Sequence, residues 1–473
     1  MNLRLHWKLC GLPIAGAMML LVSCASYNRQ AADFYGNVVA GDYAKADKAL
    51  NQNKLLKKSR NRLLYLLEKG KVAHLAHKYA ESNRYFNEAD DLMEATRTSL
   101  KDVAMGTLLN PMMQRYKGED FEKYMVHYYK ALNYLQLGQS EEALVEARRI
   151  TLRSQAQEDK AGGTSKYAND AFSFMLQGLI YEQSRDINNA FIAYRNAADL
   201  YLQNKGIYYG IPMPLQLKKD LLRSAFLNGF RDERERYESL FNLKYDGGSG
   251  GDELIVFWEN GLAPIKKEQN LFFSLSDGGA GGLVFVDGSG SFRIPLHLNT
   301  DSDKGKLKAL QTVRVAIPAY EQQNLYYRQA SLLMNDSAHV IEAAQNINDL
   351  AFATLRQRMV QELTLTLSRV ALKKLAEIAA TPKDEDKEKS KEKKQSRAGL
   401  AFGIKIFAFA SEKADTRNWQ SLPHTIHYTR VPLRKGANQL SLILTGSSTK
   451  SIPLEIQNKG GLHFLNVCSI GNN

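Results

Sequence analysis

The feature that most constrains this chain is a set of small and aromatic residues that returns at the same offsets through its first half. In Ala171 to Gln203 the set is Gly178, Tyr181, Ala190, Tyr194 and Ala197. Ala131, Tyr134, Ala143, Ala147 and Ile150 take the same places in a preceding unit, and Gly70, Ala73, Ser82, Phe86 and Ala89 in a weaker one. A recurrence near 34 residues is what stacked helix-turn-helix units leave in a sequence. Where two antiparallel helices touch, only a small side chain such as Gly178 or Ala190 fits, and rings such as Tyr181 and Tyr194 fill the groove beside it. Gln183-Ser184-Arg185-Asp186 and Leu137-Gly138-Gln139-Ser140 read as turns, and Gly41-Asp42-Tyr43-Ala44-Lys45-Ala46 as the turn and second helix of an opening unit. Three or more units are needed to bury a continuous core, so the expectation is an all-α repeat array over residues 31–245, irregular at 110–118 and 155–165. Tyr124, Tyr128, Tyr129 and Tyr134 fall mostly on one helix face and read as core.

The period then changes. Residues 246–251, Asp-Gly-Gly-Ser-Gly-Gly, read as a flexible linker. Beyond it, short alternating runs at 253–258, 271–275, 282–286, 292–298 and 313–317 read as strands, with Asp277-Gly278-Gly279 and Asp287-Gly288-Ser289-Gly290 as hairpin turns. Neither glycine run ends in the Lys-Ser/Thr of a phosphate loop. Apolar residues at three- and four-residue steps predict one helix over 337–380, ended by Pro382. Lys383 to Arg397 is charged and of low complexity, which predicts a disordered loop. Residues 398–411 read as an apolar helix buried against the sheet, with a membrane-dipping segment as the alternative, and 424–433, 439–444, 451–456 and 462–469 as further strands. The expected class is therefore α+β: a helical array, then a mostly antiparallel β-rich domain over 252–473 with inserted helices.

At the N-terminus, Arg4 and Lys8 precede an apolar stretch, Leu9 to Val22, too short for a comfortable transmembrane helix but suited to a signal peptide. It runs into Leu21-Val22-Ser23-Cys24, which resembles the lipobox of bacterial lipoproteins. That resemblance implies a signal peptide over 1–23, cleavage before Cys24, acylation (including palmitate) on its thiol, and a lipid-anchored tether over 24–30. Ala25, where an Asp would retain the protein at the inner membrane, implies outer-membrane anchoring facing the periplasm. Of three cysteines, Cys10 leaves with the signal and Cys24 is acylated, so Cys468 has no internal disulfide partner. The net charge of +13 suits anionic lipid or acidic wall polymer, and export excludes nucleic acid as the partner.

No catalytic constellation, metal set or cofactor motif stands out. His74 and His77 lack a third ligand at a sensible spacing and read as a surface pair. Cys468 lies in a strand and reads as a small buried residue. The one candidate binding corner is Asp415, Thr416, Arg417 and Trp419, against which stands a structural reading of the same residues as a helix-end lock.

Within the first half the offsets resemble tetratricopeptide repeats. Three stretches also look like a poorly characterised family of proteobacterial outer-membrane lipoproteins with such repeats: 118–135 with 142–149; Glu259 to Pro264 with Lys266-Lys267-Glu268; and Ala414 to Trp419 with Leu422-Pro423. The resemblance implies a non-enzymatic interaction scaffold in envelope assembly or peptidoglycan maintenance, meeting other envelope proteins through the repeat groove, with the β-rich domain as a second contact to a partner or to peptidoglycan. The alternatives are an enzyme on wall or lipid with its site in the second half, and a pilotin-like chaperone for a secretin or surface polymer.

Overall fold

The computed structural model describes residues 27–95, 111–161, 169–247, 251–279, 282–296, 307, 312–334, 337–380 and 413–471. The chain is mixed helix and sheet, with helices dominating before the linker and strands after it. Cys24 and the expected signal peptide, the charged stretch 383–397 and the apolar stretch 398–411 lie outside the described residues.

Ten helices form five antiparallel hairpins among the described residues: α1 (Tyr27–Val39) with α2 (Tyr43–Gln52), α3 (Arg62–Leu75) with α4 (Tyr79–Ala95), α5 (Asp120–Gln136) with α6 (Ser140–Ala161), α7 (Ala171–Gln183) with α8 (Ile187–Gln203), and α9 (Leu215–Leu227) with α10 (Arg231–Phe241). Each hairpin turns through one left-handed residue at the same place: Gly41, His77, Gly138, Arg185 and Gly229, with φ of 72°, 58°, 72°, 63° and 71°. The next amide reaches back to a carbonyl of the first helix, as in Asp42 to Asn37, Lys78 to Ala73, Gln139 to Tyr134, Asp186 to Tyr181 and Phe230 to Ala225. This 6→1 bond satisfies a carbonyl that the helix end would otherwise leave unpaired. Asp42 and Asp186 then accept from Lys45 N and Asn189 N and start the second helix.

The small residues sit where helices touch. A Cβ on Gly178 would lie 2.4 Å from the Tyr194 ring, and one on Gly70 2.6 Å from the Phe86 ring. Ala131 and Ala147, at the same separation, are both fully buried, as are Ala89, Ala143, Ala190 and Ala197. Tyr181 is buried, while Tyr134 is only partly buried against the same core.

Among the described residues, three four-stranded sheets follow. The central one has the order β10 (Glu342–Asn346), β11 (Thr425–Pro432), β3 (Glu253–Asn260), β14 (Leu462–Ser469). The outer sheet has the order β13 (Thr449–Asn458), β12 (Gly436–Gly446), β8 (Tyr327–Met334), β9 (Ser337–Val340). The third has the order β6 (Arg293–Leu296), β5 (Leu283–Asp287), β4 (Ile265–Asp277), β7 (Thr312–Glu321). A two-residue pair, β1 (Ile207–Tyr208) and β2 (Ile211–Pro212), links α8 to α9. The long helix α11 (Ile347–Ala380) buries Leu363, Leu367 and Ala371 against the third sheet. Its 34 residues span about 51 Å.

Strand β3 explains why the two halves form one body. Leu254, Val256 and Trp258 pack towards the outer sheet, while Ile255 and Phe257 belong to the same hydrophobic cluster as Tyr27, Leu67, Tyr128 and Phe172 of the helices. Alternate side chains of one strand thus serve two cores, and the layers run helices, central sheet, outer sheet.

Several expectations change. The tether over 24–30 is cut short, because α1 begins at Tyr27, which is buried. The helical array begins there too, and it gains a fifth hairpin, α9 with α10. The helix expected over 337–380 begins only at Ile347, since residues 337–340 and 342–346 pair as β9 and β10. Their half-apolar alternation fits either period, and strand partners settle it. The central sheet is also not wholly antiparallel, for β14 runs parallel to β3.

Candidate functional site

The first helices of the hairpins form the inner face of the array, and the central sheet covers that face. Helix α7 is buried without a break from Ala171 to Tyr181, and α3 from Leu63 to Leu75. A helix apolar or buried all round needs a partner on every side. Here the extra partner is the chain's own second half, so the groove expected to receive other proteins is occupied.

The contact is organised around buried charge. Glu259 of β3 accepts from Lys71 Nζ (2.5 Å), Tyr129 OH (2.9 Å), Tyr128 OH (3.0 Å) and Asn466 Nδ2 (3.0 Å). Burial pushes its carboxyl up, but the charges of Lys71 and His74 and these hydrogen bonds outweigh that and hold it at about 2. Farther along, Arg223 and Arg430 sit among Glu182, Asp220 and Glu253, with Arg430 bonded to Glu182 at 2.7 Å and Arg223 to Glu253 at 2.7 Å. Two guanidiniums cannot neutralise three carboxylates in a dry site. Burial therefore raises Glu182, and pushes Asp220 and Glu253 each up to about 7. On the other side, Glu119 holds Lys266 and, through both oxygens, Arg358 (2.5 and 2.8 Å).

The candidate corner lies in this third region. Arg417 is 1% exposed, and its five N–H donors are all used: on both oxygens of Asp415, on Asn61 Oδ1 and on the carbonyls of Gln114 and Pro111. Trp419 is fully buried; its amide donates to Glu122 Oε1 (2.9 Å) and its indole to Ser421 Oγ (3.0 Å). Thr416 is buried as well. Arg417 and Trp419 thus lock the 414–422 segment to the helices, in place of a ligand-facing corner. Asp415, partly exposed, and the buried Arg417 guanidinium both border the adjoining cleft.

That cleft has a volume of about 560 Å³ and opens between the 111–119 segment, α11, β7 and Ala414 to Arg417. Its charged lining comprises Arg115, Lys117, Lys266, Arg358, Arg369 and Arg417 against Glu119, Glu362 and Asp415. The excess is positive, which suits an acidic ligand or chain segment.

Among the described residues, two clusters have metal-like composition. Around His74, Glu259 and Cys468, Glu259 already accepts from five donors, Cys468 Sγ (3.5 Å) included, and the Lys71 ammonium supplies the positive charge. Burial, and then Glu259, push the Cys468 thiol up, which disfavours the thiolate that a nucleophile needs. Around Asp90, His127 and Glu146 stand Lys130, Arg149 and Arg153, so fixed cations occupy the place of an ion. His74 is not a surface residue: it is buried, with ring nitrogens 2.7 Å from Asn133 Oδ1 and 3.1 Å from Asn466 Oδ1. His77 supplies the left-handed turn. A legible hint of the interlock was the polar row Glu68, Lys71, His74 at three-residue steps on an otherwise apolar α3.

No family profile and no curated protein matches this chain. Among solved structures it is similar to the crystal structure of MamA protein, at 14% identity, covering 46% of this chain and 96% of that one, with a TM-score of 0.27. A likeness at that score carries no argument about function.

Proposed function

We propose that this chain is an outer-membrane lipoprotein, acylated at Cys24 and facing the periplasm, that acts as a rigid interaction scaffold in cell-envelope assembly or peptidoglycan maintenance. In this reading the hairpins are tetratricopeptide-like repeats, and the chain belongs with the repeat lipoproteins it resembles. One observation carries it: the three stretches that bear the resemblance meet in space. Glu119 pairs with Lys266, the Trp419 amide with Glu122, and Tyr128 and Tyr129 with Glu259. The residues that carry the resemblance are therefore those that clamp the array onto the sheet. Because the array's inner face is filled, partners meet the exposed cleft and the outer helices, and the repeats serve as the frame that holds them.

The test is a photo-crosslinking comparison in envelopes, with a crosslinking residue at Gln361 in the cleft, in the native chain and in Cys24→Ala. A defined adduct that needs both the cleft position and Cys24 supports the reading. Labelling with radioactive palmitate that persists in Cys24→Ala refutes the anchor, and wall fragments or lipid as the only adducts refute the protein scaffold.

A further inference from the structure

The cations that make the chain basic are not spread evenly. Residues 53–61 (Asn-Lys-Leu-Leu-Lys-Lys-Ser-Arg-Asn) and 111–118 (Pro-Met-Met-Gln-Arg-Tyr-Lys-Gly) contain no carboxylate. They carry Lys54, Lys57, Lys58, Arg60, Arg115 and Lys117, none of which makes an ion pair with the described residues. The two segments are neighbours, for the Tyr116 amide donates to the Arg60 carbonyl (2.8 Å) and Arg417 bonds both Asn61 and the Gln114 carbonyl.

The first segment is also held beside the start of α1. Asn53 Nδ2 donates to the Gln30 carbonyl (3.0 Å), and Asn53 Oδ1 accepts from Leu55 N and Leu56 N. Asn61 Nδ2 closes the loop on the Leu55 carbonyl (2.8 Å). Leu55 and Leu56 are buried, while Lys54, Lys57 and Lys58 are exposed. The loop is thus rigid inside and charged outside. Arg60 Nε is buried without a hydrogen-bond partner, and Arg29, in the first turn of α1, is exposed. The exposed acid of α1, Asp33, is already bonded to Asn37.

We infer that this basic face, around the point where the chain enters α1, docks on the anionic headgroups of a lipid bilayer. The inference rests on the anchoring reading for its direction: Cys24 lies three residues before Tyr27, so an acylated Cys24 would hold this face at the membrane. Charge then orients the body that the acyl chains retain. Each cation near an anionic surface strengthens binding about fivefold.

The test uses residues 24–473 with Cys24→Ser, which keeps every described residue and has no acyl group. Its binding to phosphatidylglycerol-containing vesicles is compared with binding to pure phosphatidylcholine vesicles. Selective binding to the anionic vesicles is expected, lost at 1 M salt, where the screening length is about 3 Å. Lys54→Gln with Lys57→Gln and Lys58→Gln should weaken it about a hundredfold with the thermal melt unchanged. Lys435→Gln with Lys450→Gln and Lys459→Gln should leave it as it was. Equal binding to both vesicles, no binding to either, binding to isolated sacculi alone, or an unaffected first triple variant overturns the inference. A failed anchor, by contrast, shows as absent palmitate labelling at Cys24 and leaves the vesicle result untouched.

Discussion

Replacing Lys71 by Met would remove the ammonium 2.5 Å from Glu259, at a point where the two side chains are 1% and 2% exposed. Glu259 would keep its bonds from Tyr128, Tyr129 and Asn466 but lose its counter-charge. The fold holds this carboxyl at about 2 against an ordinary 4.5, which is a difference of about 3 kcal/mol between its charged and neutral forms. That is of the order found when one partner of a buried pair is removed, about 3–5 kcal/mol. Lys71→Met should therefore destabilise by about 3 kcal/mol, and Glu259→Gln by a similar amount, because each leaves a charge alone in a dry site. The double variant leaves no charge, and the amide oxygen still accepts from one of the two tyrosines, which bond different oxygens of Glu259. It should cost less than the sum, with a coupling of about 2 kcal/mol or more. Urea unfolding followed by tryptophan fluorescence reads this directly, since Trp258 is next to Glu259 and Trp419 lies 5.9 Å from Tyr129. Far-UV dichroism, dominated by the helices, should give the same midpoint, because one core serves both halves. A cost below about 1 kcal/mol for Lys71→Met, or additive single variants, would refute the account of the pair. Separate midpoints would refute the shared core.

Stability should also be greatest in mild acid. Glu259 at about 2 and Glu119, held low by Lys266 and Arg358 against its burial, contribute stability that is present above about 4.5 and lost as pH falls. Glu68, Asp220 and Glu253, pushed up by burial to about 7, contribute stability that is lost as pH rises through 7. Thermal melts across pH should peak near 4.5, where the low carboxyls are ionised and the raised ones still protonated, and a midpoint still rising from pH 6 to 8 contradicts this sign. Gly178→Ala should cost about 1–3 kcal/mol through contact with Tyr194, and the melt of Gly178→Ala with Tyr194→Leu should recover part of it. Arg417→Lys cannot reproduce the five donor directions and should lower the midpoint by more than Asp415→Asn, with limited proteolysis at 111–117 as the local readout. Iodoacetamide should leave Cys468 unmodified in the folded chain at pH 8 and label it after urea, and rapid native labelling would contradict a protonated thiol.

The helical hairpins were legible because their signals are local. Gly70, Ala131 and Gly178 are small for the sake of a ring or helix in the other arm of the same hairpin, and the turn residues Gly41, Gly138 and Arg185 stand within polar turns visible in the chain. The strand around Val313 was legible in the same way, as a run of period two. Strand β3 even carries its two-faced burial on its surface, as an unbroken apolar run from Leu254 to Trp258. What sequence alone leaves open is which surfaces meet. Residues 337–346 alternate weakly and became strands because β8 and β11 offer edges to pair with. Asp415 to Trp419 read as a polar corner beside a tryptophan, and only the approach of Asn61, Gln114 and Glu122 turned it into a lock. Lys71 and Glu259 are far apart in the chain, and nothing in either neighbourhood names the other. Periodicity and turn chemistry act over a few residues, so the amino-acid sequence itself determined the hairpins and most strands. The occupied groove, the buried charges and the basic face at the start of α1 depend on contacts between distant segments, which the tertiary structure alone decided.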